Sequence, residues 1–282
     1  MSASASSRAT ACALGAIALW ASLATLAVQL AALPPFLLTG LALLIGSIPA
    51  WPYARSWRVS AQALLLGVGG LFGYHFLLFM ALRLAPAVQA NLVNYLWPLL
   101  IVMLAPLLLP GVKLRPLHLV AAAGGFAGAA LAIMGGHSWS GGLAWGYPLA
   151  LAAALTWALY SLGSRRLQHS GHGFPTAAIG LFALISGLLA LLCHAVLEPP
   201  TPLHAAQLAR IALLGLGPLG ASFYLWDRAL KLGDARSIGI LSYLTPLAST
   251  ALLLWSSGTA FSWSLGLSAL LIVGSALLTL IA

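Results

Sequence analysis

The chain has 282 residues, 62% of them hydrophobic and only 5% charged, with a mean hydropathy of +1.04 and a formal net charge of +9. A soluble domain carries about 25% charged residues, so composition excludes one and points to an integral membrane protein. The basic residues stand singly or in pairs between apolar runs, which argues against nucleic-acid binding and for a role in bilayer orientation.

The apolar segments are long and continuous, without the ten-residue alternation of barrel strands, so the spans are expected to be helices. After a small polar tail and Arg8, a first uncleaved span is predicted at about 9–30. Four more follow near 34–52, 62–82, 87–109 and 117–134, and a second set near 144–164, 174–195, 208–230, 236–256 and 263–281. The connections are short and marked by Pro34-Pro35, Pro110-Gly111, Gly135-Gly136, Gly141-Gly142, Ser170-Gly171 and Pro199-Pro200. Trp51, Tyr53, Trp57, Trp139, Trp145, Tyr147, Trp255 and Trp263 fall near span ends, where amphipathic rings favour the headgroup layer. Gly69 with Gly73 and Gly124 with Gly128 have the four-residue spacing of close helix packing.

With these ten spans, ten of the twelve Lys and Arg fall on one side, and only Arg83 and Arg210 on the other. By the positive-inside rule both termini are then cytoplasmic. Five spans per half is an odd number, so the halves would be inverted. The expected fold is all-α: ten transmembrane helices as two inverted five-helix repeats, 1–138 and 139–282, around a central cavity.

The halves also match in sequence. Residues 81–99 (ALRLAPAVQANLVNYLWPL) align without a gap to residues 229–247 (ALKLGDARSIGILSYLTPL), with eight identities in nineteen positions and an offset of 148. Both copies place a proline, Pro98 or Pro246, within an apolar run. Proline lacks an N–H and displaces the carbonyl four residues back, so helix breaks with freed carbonyls at Asn94 and Ser242 are expected. Paired interruptions of this kind point to a binding site between two repeats, with the prolines as hinges.

The fourth span carries a polar stripe, Asn91, Asn94, Tyr95 and Pro98, at helical spacing. Trp20 in the first span, Tyr74 and His75 in the third, Trp157 and Tyr160 in the sixth, and Ser242, Tyr243 and Thr245 in the ninth could join it. Such a set suits an amphipathic solute with a flat ring. The alternative is that the rings fill core and satisfy their polar tips. His75 is either functional or a hydrogen bond between helices. Asp227 lies four residues before Lys231, the spacing of a helical ion pair, and Glu198 and Asp234 are expected in loops. Without a buried carboxylate pair, facilitated export is the simpler expectation than proton antiport. Cys12 and Cys193 have no CxxC spacing, and His169 and His172 lack acidic or thiolate company, so neither metal nor cofactor is expected.

Two five-helix halves, a basic face and the duplicated kink resemble the drug/metabolite transporter superfamily in its EamA-type branch. The segment Asn91-Leu92-Val93-Asn94-Tyr95-Leu96-Trp97-Pro98 is similar to one in that branch's aromatic amino-acid exporters. The resemblance implies a multi-pass bacterial inner-membrane exporter of aromatic and other neutral amino acids, working by alternating access. Carried onto this chain, it implies a cavity formed by Trp20, His75, Asn91, Asn94, Tyr95, Pro98, Trp157, Ser242 and Tyr243. The expected partners are a small-molecule substrate and membrane lipid, with no nucleic acid, and a monomer is expected. Competing expectations are a carrier for another metabolite or a lipid precursor and, more remotely, an intramembrane serine protease. Gly220-Ala221-Ser222 resembles part of a rhomboid motif, but Phe223 stands where glycine is expected, so no enzyme is predicted.

Overall fold

The computed structural model describes residues 3–134, 142, 144–257 and 263–279, and among these it is all-helical, with helices in the stretches expected to be spans. Gly135, Gly136, Gly141, Trp139, the 138/139 repeat boundary and the last positions of the tenth expected span lie outside the described residues. The first apolar run forms α1 (Ala3–Ala21) and α2 (Leu23–Gln29). The second forms α3 (Pro35–Ser47) with a 3-10 extension, Ile48–Ser56, and the third forms α4 (Ala61–Val68) and α5 (Tyr74–Leu84). The fourth is α6 (Ala87–Asn94) and α7 (Trp97–Leu108), the fifth α8 (Pro116–Met134), the sixth α9 (Gly146–His169) and the seventh α10 (Ala178–Leu197). The eighth is α11 (Ala205–Leu216) and α12 (Ser222–Leu232), the ninth α13 (Ala235–Leu241) and α14 (Leu244–Ser257), and the tenth α15 (Trp263–Leu278).

Eight of these runs among the described residues are long and apolar enough to cross a membrane. Helix α9 has the length, 24 residues, but carries polar groups and the pair Arg165–Arg166, and α15 is apolar but only 16 residues long. The rings of Trp51, Tyr53, Trp145, Trp255 and Trp263 stand exposed at helix ends. That is where a ring with an apolar body and a polar tip meets the headgroups.

The irregularities of the two halves recur at nearly the same offset, 148 for the π turns and 147 for the helix breaks. A π-helical turn, Gly69–Gly73, separates α4 from α5, and a second, Gly217–Ala221, separates α11 from α12. Helix α6 stops before Tyr95-Leu96, and α13 stops before Ser242-Tyr243. The expected free carbonyl at Ser242 is in fact engaged, accepting from the Thr245 N–H at 2.9 Å, because the chain tightens into a 3-10 turn there. Packing partners also exchange between halves: α1 packs on α12 as α9 packs on α5, while α3 pairs with α10 and α8 with α15.

Gly124 and Gly128 admit α15: a Cβ on Gly128 would meet Ile272 and the Ser268 carbonyl, and Ser268 Oγ donates to the Gly128 carbonyl at 2.7 Å. Gly69 and Gly73 do not serve this way. Gly67 and Gly70 instead lie under Phe182 and Tyr160. Glu198 is not a free loop residue either. Its carboxylate is buried and accepts from the N–H groups of Phe36 (3.0 Å) and Leu37 (3.2 Å), with His194 Nδ1 at 3.0 Å. Those N–H groups begin α3 and have no partner within their own helix, so the distant carboxylate caps it.

Candidate functional site

Helices α1, α2, α5, α6, α7, α9, α12 and α14, with the π turn before α12, line a cavity of about 150 Å³. Aromatic rings make its walls. The Trp157 ring centroid lies 5.3 Å from Tyr74, 5.9 Å from Trp20 and 5.7 Å from Phe223, within the range of favourable ring contacts. Trp97 lies 6.4 Å from both Trp20 and Trp157. The fully buried Trp226 packs behind these rings, 5.2 Å from Trp20 and 5.5 Å from Trp97, its indole N–H donating to Ser161 Oγ at 3.1 Å.

The polar groups come chiefly from α5 and the broken α6–α7 pair. His75 Nδ1 lies 2.6 Å from the Leu71 carbonyl one turn back. Asn94, 3% exposed, donates Nδ2–H to the Tyr74 hydroxyl at 3.1 Å, and its Oδ1 has no hydrogen-bond partner among the described residues. Asn91, Tyr95 and Thr245 also line the space. Among the described residues no Asp, Glu, Lys or Arg does.

Charge is kept further along α12, away from the cavity lining. Asp227, 1% exposed, pairs with Lys231 at 2.7 Å as its spacing predicted, and also accepts from the Thr176 hydroxyl at 2.7 Å. Lys231 donates to the Phe174 carbonyl at 2.7 Å and sits over that ring, and Arg165 donates to the Leu230 carbonyl at 2.6 Å. These contacts strap α12 to α9 and to the segment before α10. Among the described residues no cluster of His, Cys, Asp and Glu could hold a metal ion.

Of the nine residues expected in the cavity, the structure brings six to it: Trp20, His75, Asn91, Asn94, Tyr95 and Trp157. It does not bring Pro98, Ser242 or Tyr243. Pro98 is buried where α7 crosses α13 at Gly239. Ser242 Oγ turns back to the Gly239 carbonyl at 2.5 Å. The Tyr243 ring packs against Phe126, Ala129 and Ile272 on α8 and α15. Gly125 explains the difference from Tyr95: a Cβ there would overlap the Tyr243 ring, whereas the position 148 further on is Val273.

Phe223, Pro218 and Leu219 line the cavity and are absent from the expected set. The duplication could have found Phe223, which corresponds to His75 at the offset of 148, as Thr245 corresponds to Trp97. Ser222, the protease-like serine, is fully buried with its hydroxyl donating to the Pro218 carbonyl at 2.5 Å, so it is not presented as a nucleophile.

Apolar helices long enough to cross a bilayer, wrapped around an uncharged aromatic cavity, define a membrane solute carrier. The chain belongs to the EamA-like transporter family, whose model matches twice, over residues 8–134 and 144–281. It is therefore a multi-pass membrane transporter of small molecules and not an enzyme. It is 41% identical over 272 residues to the aromatic amino acid exporter YddG of Ancylobacter novellus, covering 93% of each chain. It is 26% identical over 211 residues to an uncharacterized transporter of Acidianus ambivalens, covering 74% of this chain and 79% of the relative. A solved crystal structure at 40% identity superimposes with a TM-score of 0.90, covering 98% of this chain and 97% of the other.

Proposed function

We propose that the chain exports aromatic and other neutral amino acids across a bacterial inner membrane, with the central cavity as its binding site. The observation that carries this reading is the cavity's shape and chemistry. Its volume, about 150 Å³, is that of an engineered apolar cavity which holds benzene, so it accepts a single ring. A nucleotide-sugar or lipid precursor would call for the larger pockets, roughly 300 Å³ and above, typical of drug-sized ligands. The name of the relative from Ancylobacter novellus supports the same cargo. With no formal charge in the walls, ammonium and carboxylate must be met by Asn, Tyr, His and Thr dipoles, which implies weak and broad selectivity.

The transport cycle belongs to the same proposal. Ten spans form two inverted repeats, 1–138 and 139–282, with both termini cytoplasmic. The double family match, the irregularities repeated in both halves and the exchanged packing partners support this arrangement. In sequence order the cavity residues of α5 lead toward Arg83, whereas those of α12 lead through Trp226 to Lys231. The cavity thus lies outside a sealed basic end, and alternating access would break that seal and close the opposite end. The breaks at Tyr95-Leu96 and Ser242-Tyr243, each just before Pro98 or Pro246, are the hinges. A monomer holds the whole path.

The test is resistance of cells expressing the protein to toxic aromatic amino-acid analogues. Resistance that disappears in a Trp157→Ala variant present in the membrane at equal amount is expected. Equal sensitivity with and without the wild-type protein would overturn the cargo.

A further inference from the structure

The proposed cargo carries two formal charges, and the cavity that would hold it has none. Its recognition chemistry is therefore set by which dipoles remain free. A backbone carbonyl can only accept, so the 2.6 Å contact to Leu71 puts the imidazole proton of neutral His75 on Nδ1 and leaves a lone pair on Nε2. Asn94 uses its N–H on the Tyr74 hydroxyl and leaves Oδ1 unpartnered at a buried position of the same wall. Both leftover atoms are acceptors, and the donors beside them, the Asn91 amide N–H groups and the Tyr74 O–H, carry no charge. The hydroxyls of Tyr95 and Thr245 can turn to donate or accept, and so impose no preference of their own. The cavity thus offers a ring-bearing solute acceptors for a donor head and no cation for a carboxylate.

We propose that this site also takes uncharged aromatic compounds with a single donor head, such as aryl alcohols, with His75 Nε2 accepting from the head. The inference rests on the cavity being the solute site, as proposed above, and extends its substrate class. An amino acid would place its ammonium at the same acceptors and must also bring a carboxylate into walls without a cation. An aryl alcohol makes the first contact and avoids the second, because burying an unpaired charge is far more costly than burying a hydroxyl that is bonded.

The experiment uses the purified full chain in proteoliposomes, with phenylalanine flux as the reference and phenethyl alcohol as the probe. Phenethyl alcohol should raise the apparent KM for phenylalanine and leave Vmax unchanged, whereas n-hexanol at equal concentration should do neither. His75→Leu should weaken this inhibition about tenfold, the scale of one lost hydrogen bond. His75→Gln, which retains an acceptor, should restore most of it. Intact phenylalanine flux with no competition by about a hundredfold excess of phenethyl alcohol would overturn this inference and leave amino-acid export standing. Equal inhibition of wild type and His75→Leu would overturn the role of His75. Absence of phenylalanine flux, with calorimetric binding of phenethyl alcohol that His75→Leu abolishes, would instead overturn the amino-acid cargo and uphold the alcohol.

Discussion

Asn94 of α6 donates its side-chain N–H to the Tyr74 hydroxyl of α5 across 3.1 Å, tying the cavity's polar wall together at the break before α7. In a membrane helix an asparagine must find a partner inside the bundle. This contact therefore fixes which way the polar stripe faces. A double-mutant cycle of Tyr74→Phe and Asn94→Leu, followed by thermal unfolding in detergent, should give a coupling of about 0.6 kcal/mol and at most about 1.7 kcal/mol. Strict additivity would mean the contact contributes nothing.

The ring cluster predicts a selective loss. Trp157→Ala removes a ring in contact with Trp20, Tyr74 and Phe223, and should weaken aromatic cargo by about 1 kcal/mol or more, with a smaller effect on small aliphatic cargo. Tyr95→Ala should act in the same direction. Competition binding with phenylalanine and alanine distinguishes this outcome from a general loss of fold, which would weaken both equally.

Much of this site is legible in the sequence, because hydrophobic segments, kinks and an internal repeat are one-dimensional signals. Asn91, Asn94 and Tyr95 lie on one helix face at the spacing that the structure directs to the cavity. The repeat does not reveal where its own symmetry fails. Tyr95 and Tyr243 align without a gap, yet the second ring goes to the α8–α15 side, into space that Gly125 leaves and that Val273 does not. Phe223 is hidden for the opposite reason. It corresponds to His75 in position but not in chemistry, so a search for polar groups passes over it. The π turns are also invisible to a 3.6-residue periodicity, and the glycines in helix contact are Gly67 and Gly70 in place of Gly69 and Gly73.

The buried pair Asp227–Lys231 predicts an asymmetry between single and double variants. Removing one partner leaves an uncompensated charge, and Asp227→Ala should destabilise by about 3–5 kcal/mol. Replacing both by leucine should restore most of that loss in thermal unfolding. Because Asp227 is committed to Lys231 and Thr176, flux at fixed cargo gradient should not change with an imposed proton gradient. A dependence that Asp227→Asn removes would make it a coupling site.

Asp234 predicts an acid-sensitive helix start. It caps α13 by accepting from the Arg236 N–H at 2.7 Å and pairs with the Arg236 guanidinium at 2.6 Å. Burial alone would raise its pKa, but these Arg236 hydrogen bonds and the nearby charge outweigh it and hold the carboxyl below the ordinary 3.8. A lowered folded-state pKa means the stabilisation is complete above the ordinary value and is lost as pH falls toward the lowered one. The unfolding midpoint of wild type should therefore drop below about pH 4 more steeply than that of Asp234→Asn, which keeps the cap without the charge.

The helix breaks predict a kinetic effect. Pro98→Ala and Pro246→Ala should change turnover more than binding, since neither proline lines the cavity while each follows a break beside it. Unchanged turnover in both single variants and in the double variant would reject the hinges.

The central claim is that aromatic amino acids cross the membrane through this uncharged, ring-lined cavity. Counterflow of labelled phenylalanine into proteoliposomes preloaded with unlabelled phenylalanine tests it most directly. The account predicts saturable counterflow that Trp157→Ala and Asn94→Leu each reduce. Saturable counterflow unaltered by either substitution, or none for any aromatic amino acid while a nucleotide-sugar or lipid precursor exchanges, would contradict it.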